Sequence, residues 1–178
     1  MEDFKSLAEL TQMDSKHLAM GKLCGSVPCL QSMHQILSEE TLNDAVPNAI
    51  KGQFNVAKNM AMYSYYFYAL APEVHLKTYR IIEQALVLRM PNSKRMTLKD
   101  RLELTIENGW IADAGFRHMN KTSANDAGCK ELVDAMRALR NSQAHGSLML
   151  VGDCIYHIKV CADFLNQLFP DDGQFNHQ

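Results

Sequence analysis

Apolar residues recur along this chain at spacings of three and four, without sustained alternation by two. That period belongs to the α-helix, and no Asn-Gly hairpin signal interrupts it. Phe4, Leu7, Leu10, Met13 and Leu18 predict a first helix over 4–20. Gly21, Gly25 and Pro28 mark a break over 21–33, and a short helix is expected over 34–44. Phe54, Ala57, Ala61, Ser64 or Tyr65, and Tyr68 predict a long helix from about 48 to Ala71. Pro72 suits the first turn of the next, where Glu73 meets the positive end of the helix dipole; that helix runs to Pro91. Thr97-Leu98-Lys99-Asp100 reads as a capping box ahead of Leu102, Ile106 and Trp110, with an end near Gly115. After the loop-like NKTSANDAG, a helix starts at Asn125 or Asp126, carries Leu132, Val133, Met136 and Leu139, and reaches a C-terminal glycine at Gly146. The last helix holds Val151, Ile155, Ile158, Cys161 or Ala162, Leu165 and Leu168 up to Pro170.

This pattern predicts an all-α protein: an antiparallel helical bundle with four main core helices plus an N-terminal helical extension. One domain is expected over 1–178, with its core at about 48–170, the extension at 1–45 and a frayed tail at 171–178. No apolar run approaches the ~20 residues a bilayer crossing needs, so no membrane partner is expected. MEDFKSLAEL lacks the basic and apolar regions of a secretory signal. The five scattered cysteines, two of them on an apolar stripe, suggest reduced thiols and a cytoplasmic location. A net charge of −2 argues against a protein wrapped in nucleic acid, yet leaves room for a local basic groove.

The segment LRNSQAHG (139–146) concentrates the chemistry. Arg140 follows Leu132 and Met136 along the edge of the apolar stripe, and Asn141 adjoins it. His145 comes five residues later, ~140° around an ideal helix from Arg140. One helix therefore splays the pair, unless the turn at Gly146 redirects the histidine or a two-fold axis brings two copies into one cleft. Such a cleft suits phosphodiester cleavage without metal. Imidazole can take a proton from an RNA 2′-hydroxyl and return one to the leaving oxygen, while guanidinium grips the phosphate. A plainer reading stands beside it: polar and cationic residues near a helix C-terminus satisfy carbonyls and the dipole.

An Arg-polar-(x)3-His motif near the junction of the last two core helices of an all-helical bundle resembles the HEPN superfamily. In that family the arginine is usually followed by Asn, Asp or His, and a spacer leads to an invariant His. Here Arg140-Asn141-Ser142-Gln143-Ala144-His145 has that form, and the resemblance covers roughly residues 48 to 170. It implies a metal-independent endoribonuclease with no cofactor, active as a homodimer with a composite site. Arg140, Asn141 and His145 would be catalytic, in a toxin–antitoxin or antiphage setting with RNA as substrate. In one toxin branch a tyrosine two residues after the histidine is modified by the antitoxin. This chain has Ser147 there, so an antitoxin or regulatory partner would need another route. Some family members bind or dimerise without cutting. The alternative is therefore a non-catalytic helical module for RNA, a nucleotide or a protein partner.

Glu83, interrupting YRIIEQALVLRM, is either a supporting residue facing the cleft or a solvent-facing glutamate. Arg89, Lys94, Arg95, Lys99 and Arg101 gather around a single Asp100 and offer a phosphate track for RNA, or else a solvated loop and helix start. The rings of YSYYFY (63–68) suit core or dimer packing better than base stacking. His17, Cys24, Cys29 and His34 match no zinc knuckle, so no metal is expected; His75, His118, His157 and His177 read as surface or helix-end residues.

Overall fold

A computed structural model describes residues 3–25, 27–92, 95–119, 126–144 and 153–171; for Leu23, Cys24, Arg137 and residues 139–144 it describes the backbone alone. Among the described residues the chain is all helical. Its helices are α1 (Ser15–Cys24), α2 (Leu30–Glu39), α3 (Asn48–Tyr63), α4 (Leu70–Arg89), α5 (Leu98–Glu107), α6 (Ala127–Ala144) and α7 (Cys154–Leu168). A 3-10 turn at Asp113–Gly115 lies between α5 and α6.

The predicted helix over 4–20 begins only at Ser15. Asp14 caps it by accepting from Lys16 N at 3.0 Å, while Ser6 and Glu9 close a separate turn upstream. Phe4 and Leu7 consequently stay in solvent, 103% and 85% exposed. Gly21 continues α1, and the break comes at Gly25, whose φ of 78° is the left-handed conformation a helix end favours. The next helix covers Leu30–Glu39 rather than 34–44.

The long helix expected to reach Ala71 ends at Tyr63. Backbone groups past that point bond elsewhere: Asp14 N donates to Tyr65 O, and Tyr68 N donates to the Asp14 carboxylate. A buried acid on the N-terminal segment thus captures the α3–α4 connection. Pro72 and Glu73 fall in the first turn of α4 as the sequence predicts, and the Thr97–Asp100 capping box forms reciprocally. The next helix stops at Glu107, well before Gly115, because Gly109 turns at φ 66°.

Helix α4 packs against α3, α6 and α7. It runs antiparallel to α3, with Lys77 donating to Gln53, and parallel to α7, where His75 stacks on His157 and Cys161 Sγ meets Thr78 O at 4.0 Å. Ala57, Ala61, Ala85, Cys161 and Ala162 let these helices approach, and Phe54, Phe116, Phe164, Leu86, Leu102 and Leu165 fill the space between. Each large apolar side chain buried in this way contributes about 1.5–3 kcal/mol relative to exposure.

The 111–117 segment ties α6 to the bundle. Asp113 accepts from Cys129 N at 2.7 Å and Gly128 N at 3.1 Å, meeting free N–H groups at the start of α6. Four residues on, Arg117 donates through Nε to Asp163 on α7 at 2.7 Å, and through both terminal nitrogens to Glu40 at 3.1 and 2.5 Å. Its backbone N–H also reaches Asp163, at 3.0 Å. Both carboxylates are buried, at 4% and 8% exposure, whereas the guanidinium keeps one side in water.

Removing that guanidinium strands two buried carboxylates next to each other. Arg117→Ala is expected to lower stability by about 2–4 kcal/mol near neutral pH, measured by urea unfolding. A loss below about 0.5 kcal/mol, the size of an exposed surface pair, would show that the clamp does not hold the fold.

Candidate functional site

Helix α6 runs antiparallel to α7. Its first turn is held by Asp113, whose neighbour Ala112 donates its N–H to Gln167, near the far end of α7. Met136, two turns along α6, lines a cavity together with Tyr156 and His157 from the beginning of α7. The last turns of α6 therefore approach the end of the bundle where α4 and α7 start. Arg140 and Asn141 belong to those turns, as the sequence pattern predicts; their side chains and the whole of His145 lie outside the described residues.

The other described candidates lie on α4, on α5 and just before α5. Glu83 is half-buried on α4, one residue after Ile82, which lines the cavity together with Met136. Arg89 stacks over Trp110 at 4.6 Å, and its partial burial pulls its pKa below the usual guanidinium value. Arg101 is buried in α5. Lys99 pairs with Glu103 at 3.3 Å, Arg95 is exposed, and Lys94 lies outside the described residues. The basic run therefore does not form one continuous exposed row: two of its arginines are absorbed by packing that a tally of charges cannot foresee.

The nearest described chemistry to the end of α6 is a chain of rings. Phe116, His118, Tyr156 and His157 follow one another edge to face at centroid separations of 5.7, 5.2 and 5.8 Å. His157 then stacks on His75 at 3.7 Å and meets Tyr79 edge-on at 5.9 Å. These histidines read in sequence as surface or helix-end residues; His118 is exposed, but His75 is 1% exposed and its Nε2 has no hydrogen-bond partner among the described residues. Burial, and then the facing His157, push the His75 pKa down to about 3; burial also lowers that of His157. Burial raises the Tyr79 hydroxyl to about 12. The signal for this cluster was present in sequence as His75 and Tyr79 at a spacing of four, but nothing local brings in His157 from α7.

Tyr63 is exposed, Tyr68 is buried, and the rings between them are half-buried, so YSYYFY forms a packed turn. His17 bonds Ser64 O through Nε2 at 2.9 Å and packs on Tyr65 and Tyr68, while Cys29 is exposed and its thiol donates to Gln31 at 2.9 Å. Among the described residues Asp113, Asp126 and Cys129 bring three ligand-type atoms within 4.8 Å. Asp113 there is engaged by the backbone of α6, and burial raises the Cys129 thiol pKa, which keeps it protonated. No described helix is long and apolar enough to cross a membrane. Comparison with protein families, with curated proteins and with solved structures finds no match to this chain.

The histidine pair makes folding sensitive to acid. Above pH ~6.5 both imidazoles are neutral, folded or unfolded, and nothing is lost. Below it the unfolded chain takes up protons that folded His75 refuses until about pH 3, so stability falls as pH falls across that window. The expected slope is up to about 1.4 kcal/mol per pH unit for His75. Thermal unfolding at pH 7, 6 and 5 should show a steeper loss for the natural chain than for His75→Phe; parallel profiles would contradict this.

Proposed function

We propose that this chain is a metal-independent endoribonuclease of HEPN type, acting as a homodimer in a toxin–antitoxin or antiphage setting. The observation that carries the reading is the Arg140-Asn141-x-x-x-His145 pattern, which begins on the last turns of α6 in a chain whose described residues are all helical. The Arg140 and Asn141 positions on the last turns of α6 support it, since an end of a bundle is open to a polymer in a way its middle is not.

In this reading the His145 imidazole takes the proton of a 2′-hydroxyl. The resulting oxygen attacks the adjacent phosphorus, the P–O5′ bond breaks, and a protonated histidine delivers a proton to the leaving 5′-oxygen. The products are a 2′,3′-cyclic phosphate and a free 5′-hydroxyl. Arg140 offsets the charge that builds on the phosphoryl oxygens, and Asn141 orients phosphate or imidazole. Two chains related by a two-fold axis would pool their Arg and His side chains, which answers the ~140° splay within one copy.

A second reading, a non-catalytic module that binds a protein, RNA or a nucleotide, draws on another observation. Arg89 and Arg101 are taken up by packing, which thins the basic run, while Phe4, Leu7, Leu10 and Tyr63 are exposed.

The two readings part on one assay. Labelled mixed-sequence RNA incubated in EDTA should be cut by the natural chain to cyclic phosphate ends. His145→Ala should lower the rate about 10²–10⁴-fold with an unchanged circular dichroism spectrum. RNA shifted on a gel but left intact by both proteins would favour the binding module, and equal cutting by both would remove His145 from the mechanism.

A further inference from the structure

The cavity between α4, α6 and α7 has a volume of about 210 Å³. Ile82, Leu132 and Met136 supply apolar walls, while Tyr79, Tyr156 and His157 supply rings from two directions. An apolar cavity of about 150 Å³ is known to hold benzene, so this one has room for a larger, flat molecule. Three features narrow the class of occupant. Tyr79 and His157 already stand edge to face, as do Tyr156 and His157, so a flat ring entering between them meets aromatic edges and faces in their favoured arrangement. Among the described residues the lining carries no charged side chain, which suits an uncharged ligand. Tyr79, Tyr156 and His157, all lining residues, carry hydrogen-bonding groups that could meet one polar edge of a ligand.

We propose that this cavity is a binding site for a small neutral aromatic molecule of one or two fused rings carrying one hydrogen-bonding edge, of phenol to indole size. The site does not depend on the ribonuclease reading. It does share α6 with the motif: Met136 touches the cavity and Arg140 follows one turn later on the same helix. An occupant wedged against α6 is therefore placed to bias the position of its last turns. Burial lowers the pKa of His157 and of His75 behind it, consistent with an uncharged guest.

Indole and phenol, titrated separately into the full chain, test the site with cyclohexanol as a non-aromatic control. Saturable binding is expected for the aromatic probes, with a rise in thermal midpoint that tracks occupancy. Nuclear Overhauser contacts should link the probe protons to the methyls of Ile82 and Met136. Ala135, exposed at the rim of the cavity, can carry a blocking side chain: Ala135→Trp should weaken indole binding roughly tenfold or more by overfilling the mouth. Lys130→Trp, exposed on the same helix and outside the lining, should leave binding unchanged. No saturable binding of either aromatic probe, contacts to other methyls, or equal binding of cyclohexanol would each overturn the proposal. The contact measurement needs no variant and stands even if Ala135→Trp fails to fold.

Discussion

Two buried carboxylates share one guanidinium, and the placement of the second half of the chain follows from that. Glu40 ends α2, Asp163 sits within α7, and neither is held in the dry interior without a cation. Arg117 reaches both because the segment before it has turned at Gly109 and again through the 3-10 turn at Asp113–Gly115. The same segment presents Asp113 to the first N–H groups of α6. One stretch of seven residues thereby sets the starting point of α6 against α7, and a helix with a fixed start has a fixed end. The position of Arg140 is decided some 23 residues upstream of it, at Arg117.

The same logic gives the middle of the bundle its character. Helices α4 and α7 run parallel with small residues at their contact, so whatever faces across that seam is pressed together. At one level the pair is Thr78 and Cys161; a turn away it is His75 and His157, two imidazoles 3.7 Å apart. Burying a histidine without a partner for Nε2 costs stability, and the surrounding aromatic contacts offset it. Where α6 comes to lie over this seam it does not fill the space completely, which leaves the cavity beside Tyr79 and His157.

Arg140, Asn141 and a wall of the cavity lie on one helix in succession. The C-terminal turns of α6 carry the residues proposed to act on phosphate, and the turn before them forms a wall of the cavity. A helix held at its start by Asp113 and packed against α4 and α5 can respond at its other end to what sits beside it. This coupling asks only for a small rotation or shift of α6, which is the scale on which packed helices move.

The amino-acid sequence by itself determined the helical class, the α4 and α7 spans to within a few residues, and the cap at Thr97–Asp100, because each depends on near neighbours: the 3.6 period, Pro72 and Pro91, and a side chain reaching three residues along. The Arg140–Asn141 position on α6 was legible for the same local reason. What the tertiary structure decided is everything in which a distant group outcompetes a local one. Asp14 drew the backbone of 65–68 out of the expected long helix, leaving Phe4 and Leu7 in solvent. Trp110 and the α5 interior absorbed Arg89 and Arg101. The His75–His157 pair and the cavity beside it join residues some eighty positions apart, and no periodicity within either helix encodes that meeting. Periodicity records which face a helix buries; what that face will touch is set only when the other helices arrive.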